Sequence, residues 1–292
     1  MTHMFQKTFF TIALVFFAGI FPTAIFAAPV RVDPTEIESS VSARAYVVID
    51  RTTGTVLTLK QENLVWPIAS LTKLMTADLV LQNQVSPKKL QPILKEDDVG
   101  GAKLYIKHGD KFSVDDLFYA MLSGSANNAA NALARTCTPT REDFVKQMNA
   151  RAKILGLNHT TYADPSGMEL ANTSTVMDVA KLANIIFIHP QIQRYTTTPN
   201  RNIRVANTGA MKKITSTNWM LFKPAYDDVW VTGGKTGYLE ESGWNLAVTL
   251  RPSARETKKE LLIVLFGADS RAHSFEVAKE LSDWAWNVYE WK

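Results

Sequence analysis

Strand-like segments near both ends of this 292-residue chain enclose a long helical middle. Close to the start, two apolar runs are joined by the turn Arg51-Thr52-Thr53-Gly54, which predicts a hairpin. Three further strand patterns appear only after residue 228. An α/β (α+β) architecture accounts for this order, because a sheet built from both ends can carry the helical middle as an insert. The predicted strands cover 43–50, 55–60, 229–232, 244–250 and 261–266.

Apolar residues at helical spacing fill the middle of the chain and its C-terminal end. They predict helices over 71–84, 114–121, 126–135, 141–155, 175–188 and 272–289. We therefore expect a single domain over 43–292, with an α/β lobe at about 43–75 and 205–292 and a helical lobe at about 76–204. A cleft between two such lobes is the natural place for an active site.

Residues 1–28 have the pattern of an export signal peptide. Lys7 precedes an uncharged apolar stretch over 9–21, and the small residues over 24–28 allow cleavage after Ala27 or Ala28. The apolar stretch also approaches the length of a membrane helix, so an uncleaved anchor that contacts the membrane is the alternative. In both cases the polar leader 29–42 and the domain are expected outside the cytoplasmic membrane, in the periplasm or at the cell wall.

Charge and cysteine content narrow the classes of partner. The formal charge is +4, but the Lys and Arg residues are scattered and no basic run alternates with aromatic residues, so nucleic acid is not an expected partner. Cys137 is the only cysteine, and no His-Glu-x-x-His spacing occurs. The sequence therefore predicts no disulfide, no metal and no cofactor.

The segment Ser70-Leu71-Thr72-Lys73 places a hydroxyl and an amine on one face at the start of a predicted helix. A lysine can accept the proton of such a serine when burial lowers its pKa. The spacing alone is weak evidence, because Ser86-Pro87-Lys88-Lys89 repeats it in a predicted surface turn. An ordinary N-cap serine beside a solvated lysine is the alternative at this point.

Two further elements carry groups suited to the same chemistry. In Ser125-Ala126-Asn127 a second hydroxyl can relay a proton and an amide can contact substrate and Lys73, although Ser125 can also be an N-cap and Ser216-Thr217-Asn218 repeats the pattern. The third element, Lys235-Thr236-Gly237, follows a predicted strand. It is not a phosphate-binding loop, because the first glycine of that motif would fall at Val229.

In this order the three elements resemble those of the serine D,D-peptidase and β-lactamase superfamily. The similarity spans roughly residues 40 to 290 and is closest to the low-molecular-weight penicillin-binding D-alanyl-D-alanine carboxypeptidases. It rests on further segments, among them Trp66-Pro67-Ile68-Ala69-Ser70, Asp164-Pro165-Ser166-Gly167, Ser216-Thr217-Asn218-Trp219 and Gly234-Lys235-Thr236-Gly237-Tyr238. The resemblance implies a β-lactamase-like fold, with an antiparallel sheet flanked by helices and an inserted all-α lobe.

The resemblance also implies a role for each matching residue. Ser70 would form the acyl ester, Lys73 would be its base and Ser125 the proton relay. Asn127 would contact substrate, while Lys235 and Thr236 would bind the substrate carboxylate. The backbone N–H groups of Ser70 and Tyr238 would form the oxyanion hole. Asn128 and Leu239 depart from the usual acid and threonine at their positions, which puts fine specificity in doubt.

The implied substrate is the peptidoglycan stem peptide, with β-lactam antibiotics as inhibitors. D-alanyl-D-alanine carboxypeptidase and D,D-endopeptidase reactions both fit. A β-lactamase is an alternative, for which Glu169 is the available carboxylate although its spacing does not match; a catalytically silent wall-binding protein is another. The C-terminal Trp284, Trp286, Tyr289 and Trp291 are expected to pack on the sheet rather than to form a membrane anchor.

The mature chain is expected to begin near Ala28 or Pro29 and to accumulate outside the cytoplasmic membrane, because the small residues over 24–28 suit a signal peptidase. N-terminal sequencing of protein from fractionated cells tests this expectation. A retained Met1 would instead support the uncleaved anchor.

Overall fold

The computed structural model describes residues 27–37 and 41–292. Nearly all of the predicted signal peptide therefore lies outside the described residues. The strands, in chain order, are β1 Val30–Arg31, β2 Ala45–Asp50, β3 Val56–Lys60, β4 Trp66–Pro67, β5 Leu90–Pro92, β6 Lys111–Ser113, β7 Thr173–Ser174, β8 Asn200–Arg204, β9 Met211–Thr215, β10 Trp230–Leu239, β11 Gly243–Arg251, β12 Leu261–Ala268 and β13 Tyr289–Glu290.

The helices occupy the positions that apolar spacing predicted, with shifts of a few residues at their ends. A 3₁₀ turn over Ala69–Thr72 leads into the first α-helix, and a π-helical turn over Tyr119–Ser123 follows the second. The α-helices are α1 Lys73–Gln82, α2 Val114–Phe118, α3 Asn127–Ala134, α4 Arg141–Ile154, α5 Val176–Ile186, α6 Pro190–Thr196 and α7 Arg271–Val288.

The central sheet contains five antiparallel strands in the order β10-β11-β12-β2-β3. It joins the N-terminal hairpin to the three C-terminal strands, because β2 pairs along its length with β12. This confirms the predicted α/β class and the antiparallel sheet built from both ends of the chain. Strand β10 lies at one edge of the sheet, beside the 3₁₀ turn that carries Ser70.

Both faces of the sheet are buried, and successive residues alternate between two cores. Val47 and Val264 join a cluster with helices α1 and α5, whereas their neighbours Val48 and Ile263 join a cluster with α7. Helix α1 is buried over most of its length among the helices of the insert, where it contacts α3, α4 and α5. The residues that follow Ser70 are therefore held on all sides.

The structure extends the prediction at three places. Strand β10 continues to Leu239, whereas the sequence pattern ended at 232 because Gly233 and Gly234 interrupt the apolar run. The two-stranded sheets β5–β6 and β8–β9 and helix α6 were not predicted. The polar leader also contributes a strand, because β1 pairs with β13 next to the last helix.

The C-terminal aromatic residues pack against the α7 side of the sheet, as predicted. Each also places its polar atom on a protein acceptor: Trp291 Nε1 donates to Asp50 Oδ1 at 2.9 Å, and Tyr289 OH donates to Leu57 O at 2.9 Å. Over residues 27–37 and 41–292, no helix has the length and apolar character required to cross a membrane.

Phe266→Ala should lower the free energy of unfolding by about 3 to 5 kcal/mol, because this fully buried ring fills the core between sheet and helices. Denaturant unfolding followed by circular dichroism measures the change. The matched control is Ile188→Ala, whose side chain is 64% exposed and should change stability by no more than about 0.5 kcal/mol. Equal losses in the two variants would contradict this packing.

Candidate active site

A cavity of about 370 Å³ opens where the edge strand β10, the 3₁₀ turn and the helical insert meet. The sequence-predicted residues Ser70, Ser125, Asn127, Thr236 and Tyr238 all line it. Lys73 and Lys235 lie directly behind this lining, where they are 0% and 1% exposed. The structure therefore brings together every residue that the sequence analysis assigned to the site.

The turn that carries Ser70 is held by close backbone approaches. Ala69 has φ of 49°, a left-handed conformation that costs a non-glycine residue about 1 to 3 kcal/mol. Two glycines allow neighbouring segments to reach this turn: a Cβ on Gly237 would lie 2.8 Å from Ile68 O, and one on Gly167 would collide with Ala69 O. The side chain of Ser70 makes no N-cap hydrogen bond, so the N-cap alternative is wrong.

Lys73 occupies the centre of the site. Its Nζ donates to Ser70 Oγ at 2.8 Å, to Asn127 Oδ1 at 2.7 Å and to Ser166 O at 2.5 Å. Burial lowers the pKa of Lys73 to about 7, and the negative charge of Asp164 opposes that fall. The alternative of a solvated lysine is therefore wrong, and near neutral pH this amine can exist both as an acid and as a base.

Ser125 and Asn127 enter the site from the start of α3. The backbone of Ser125 is left-handed, with φ of 60°, and Ala126 is the N-cap residue of the helix without a side-chain cap. Ser125 Oγ instead accepts a hydrogen bond from Lys235 Nζ at 2.9 Å. Asn127 donates through Nδ2 to Gly100 O at 2.8 Å, and it thereby links the connection between β5 and β6 to Lys73.

The third motif, Lys235-Thr236-Gly237, lies on β10 at the edge of the sheet. Lys235 Nζ also donates to Thr236 O at 2.7 Å. Burial, together with the positive charges of Lys73 and Arg271, lowers the pKa of Lys235 well below its ordinary value. The hydroxyl of Thr236 lies 2.7 Å from that of Thr217. The two lysines are thus coupled, and each contacts one of the two serine hydroxyls.

A loop over 164–172 closes the site beneath Lys73. The buried carboxylate of Asp164 accepts hydrogen bonds from the backbone N–H groups of Ser166, Gly167 and Glu169 and from the side chains of Ser166 and Asn172. Although burial raises it, these donors hold the pKa of the Asp164 carboxyl below its ordinary value.

Several cavity residues were not assigned from the sequence. Thr217 stands in the repeat of the Ser-x-Asn pattern, yet its hydroxyl meets Thr236 and its carbonyl accepts from Arg271 Nη2 at 2.6 Å. Arg271 lies against the rings of Trp219 and Trp244 and lines the cavity. Only the segment Ser216-Thr217-Asn218-Trp219, which formed part of the family resemblance, pointed to this corner of the site.

The competing Ser-x-x-Lys repeat and the candidate β-lactamase carboxylate lie outside the cavity. Ser86 and Lys89 are exposed, as expected for a surface turn. The Glu169 side chain is 61% exposed and faces Arg141 at 3.9 Å, away from the residues that line the cavity. Among the residues that the structure describes, no group of three or more His, Cys, Asp or Glu side chains could hold a metal ion.

The two departures from the motif pattern have local explanations. Asn128 pins the backbone of Leu104, accepting from its N–H at 3.0 Å and donating to its carbonyl at 2.9 Å. An acid at this position would lose the donor half of the pair. Leu239 lines the cavity and gives its rim an apolar surface.

Comparison with known proteins identifies relatives along most of the chain. The chain is 30% identical over 223 residues to the D-alanyl-D-alanine endopeptidase of Pseudomonas aeruginosa, covering 76% of this chain and 71% of the relative. It is 36% identical over 207 residues to the protein of the same name from Haemophilus influenzae, covering 70% and 69%. The D-alanyl-D-alanine carboxypeptidase DacF of Bacillus subtilis is 29% identical over 255 residues, covering 85% and 63%.

Solved structures show the same fold. Penicillin-binding protein D2 of Listeria monocytogenes, in an ampicillin-bound form, superposes with a TM-score of 0.71 at 29% identity, covering 84% of this chain and 98% of that one. A mutant of the Streptomyces K15 DD-transpeptidase superposes with a TM-score of 0.77 at 23% identity, covering 86% and 100%. These neighbours confirm the predicted D,D-peptidase fold. Residues 31–270 match the D-alanyl-D-alanine carboxypeptidase family, and the chain therefore belongs to that family of serine D,D-peptidases.

Proposed function

We propose that the chain cleaves D-alanyl bonds of peptidoglycan stem peptides through an acyl ester on Ser70. The observation that carries this mechanism is the 2.8 Å contact between Ser70 Oγ and the buried Nζ of Lys73, whose pKa is about 7. A neutral Lys73 accepts the hydroxyl proton as Ser70 Oγ bonds to the substrate carbonyl carbon. The negative charge then develops on the carbonyl oxygen, near the backbone N–H groups of Ser70 and Tyr238.

Ser125 is the proposed route for the proton to the leaving amine. Its hydroxyl lies in the cavity and receives a hydrogen bond from Lys235, so it can give its own proton to the amine as it takes one from that lysine. The C–N bond then breaks and the shortened peptide stays on Ser70 as an ester. Water attacks this ester and gives one proton to Lys235 through Ser125, while Lys73 returns its proton to Ser70 Oγ as the acid product leaves. No metal or cofactor is needed for these steps.

The carboxylate beside the scissile bond is proposed to bind at the Lys235 and Thr236 corner. The free protein gathers the basic groups Lys73, Lys235 and Arg271 around one cavity, and burial, together with repulsion from the charges of Lys73 and Arg271, lowers the pKa of Lys235. An anion placed there relieves this repulsion, which favours substrates with a free terminal carboxylate.

A D,D-endopeptidase reaction is the second candidate. Its support is the similarity to the P. aeruginosa and H. influenzae proteins, both of which are named endopeptidases. A D-alanyl cross-link to the D-centre of diaminopimelate also presents a carboxylate next to the cleaved bond, so the same corner serves both reactions. Mass spectrometry of products from isolated peptidoglycan distinguishes D-alanine release from separation of cross-linked peptides.

The geometry favours neither a β-lactamase nor a silent binding protein. A β-lactamase needs a carboxylate that directs water at the ester, and the candidate Glu169 points into solvent. A catalytically silent binding protein has no need for two fully buried lysines that each contact a hydroxyl. We also propose that the protein acts outside the cytoplasmic membrane, where its substrate lies.

Lys73→Arg should reduce acylation of Ser70 by a fluorescent penicillin about 10² to 10⁴-fold, the usual contribution of a general base. Arginine keeps the positive charge but does not release its proton at working pH. The measurement is the second-order rate of adduct formation, with peptide mapping of the labelled serine.

Two variants control this experiment. Lys89→Arg makes the same change in the exposed Ser86-Pro87-Lys88-Lys89 repeat and should leave the rate unchanged. Ser70→Ala should abolish the adduct while the protein still folds. Near wild-type acylation of Lys73→Arg, or an adduct on Ser86, would reject the mechanism.

Amidating the terminal carboxylate of a D-alanyl-D-alanine peptide should lower kcat/KM by about tenfold to a hundredfold. This corresponds to one charge-assisted hydrogen bond of about 1.5 to 3 kcal/mol. Lys235→Ala should reduce the preference for the free acid. Equal cleavage of both peptides by the unmutated enzyme would remove Lys235 from the carboxylate-binding role.

A further inference from the structure

The carboxylate of Asp164 is fully buried. It makes no hydrogen bond to Ser70 or Lys73, and it meets the cavity lining only through the backbone N–H of Gly167, at 2.7 Å. Its five hydrogen bonds, from 2.5 to 2.9 Å, all come from the loop that it begins. Such a set of donors fixes the loop over 164–172 in one conformation.

This loop contacts Lys73, the helix that carries Lys73, and the turn that carries Ser70. Ser166 O accepts from Lys73 Nζ at 2.5 Å, and Pro165 O accepts from Thr76 Oγ1 at 2.6 Å, one turn further along α1. Gly167 presses against the backbone between Ala69 and Ser70, where no side chain would fit. A shift of the loop would therefore move the base and the nucleophile together.

Asp164 also supplies negative charge to Lys73 from a site that water does not reach. Burial lowers the pKa of Lys73 and the charge of Asp164 in the loop opposes that fall, while α3 presents only the neutral amide of Asn127. On β10, burial and then the charge of Lys73 lower the pKa of the neighbouring amine, Lys235. Arg271 of α7 adds its charge at Lys235. Asp164 is therefore the acidic group that opposes the effect of burial on Lys73.

We propose that Asp164 is a positioning residue for the reaction: its carboxylate holds the loop carbonyl that receives Lys73, and its charge keeps part of the Lys73 population protonated near neutral pH. This inference rests on the proposed role of Lys73 as the base and adds a group that acts only through it. The two lysines then do not both lose their charge in the free protein.

The test is the pH dependence of penicillin acylation in Asp164→Asn. Removing the charge lowers the pKa of Lys73 further below about 7, so the neutral base persists to lower pH. We expect the acidic limb of the rate profile to move down by about one pH unit, at the lower end of the effect of a nearby opposite charge. The rate at high pH should fall as well, since the amide cannot satisfy all five donors.

Three control variants separate charge from structure. Ser166→Ala removes the 2.6 Å hydrogen bond to Asp164 Oδ1, and Thr76→Val removes the one to Pro165 O, and neither changes a charge. Both should slow acylation several-fold without moving the limb. Asp178→Asn removes another buried carboxylate, which accepts hydrogen bonds from the backbone N–H of His159 at 2.8 Å and from Thr160 Oγ1 at 3.0 Å, and should leave the limb in place.

Each outcome decides one part of the proposal. An unmoved limb in folded Asp164→Asn rejects the electrostatic role, and wild-type rates in both Ser166→Ala and Thr76→Val reject the positioning role. If Asp164→Asn does not fold, as judged by thermal melting, Ser166→Ala and Thr76→Val still test the positioning role of the loop. No adduct on Ser70 in the unmutated protein would instead reject the proposed function, so the two failures are distinguishable.

Discussion

The desolvation of Lys73 is the constraint on which the rest of the site depends. An ammonium group leaves water only if hydrogen-bond acceptors replace it, and here they come from three separate parts of the chain: Ser70, Asn127 and the carbonyl of Ser166. Because burial is also what brings the pKa of this amine to about 7, the same packing that holds the lysine makes it a base. The chemistry is therefore a property of the assembled lobes rather than of the Ser-x-x-Lys segment.

The backbone is strained at Ala69, next to the Ser70 hydroxyl, and at Ser125 itself. Ala69 and Ser125 adopt left-handed conformations that neither residue favours, and each lies at the start of a buried helix. The helices α1 and α3 pack against one another, so the strain at each entry point is offset by the burial that follows. Gly167 and Gly237 complete the arrangement, because backbone without a side chain can close on the turn from two directions.

Periodicity in the sequence predicted most of the fold, since all six expected helices and all five expected strands form, and only β10 departs by more than a few residues from its predicted bounds. The site residues that stand in sequence motifs could be predicted. Residues whose contacts come from segments distant in the sequence were harder to predict. In the sequence Asp164 is an ordinary loop acid, and only the structure shows the hydrogen-bond donors around its carboxylate. Thr217 contacts Thr236, but it stands in a three-residue pattern that also arises by chance. Strand β10 was predicted too short because glycines weaken a strand pattern locally, whereas pairing with β11 supports them.

The distribution of charge connects substrate binding with proton transfer. In the free protein Lys235 is buried beside Lys73 and Arg271, and its pKa lies well below the ordinary value. A bound carboxylate favours the protonated form of Lys235, and that lysine donates to Ser125 Oγ, the proposed relay to the leaving amine. In the proposed mechanism, a substrate with a free terminal carboxylate thus supplies the charge that keeps Lys235 protonated as the acid, while Lys73 acts as the base. Recognition and catalysis then use the same electrostatic network, and a substrate that lacks the carboxylate loses both.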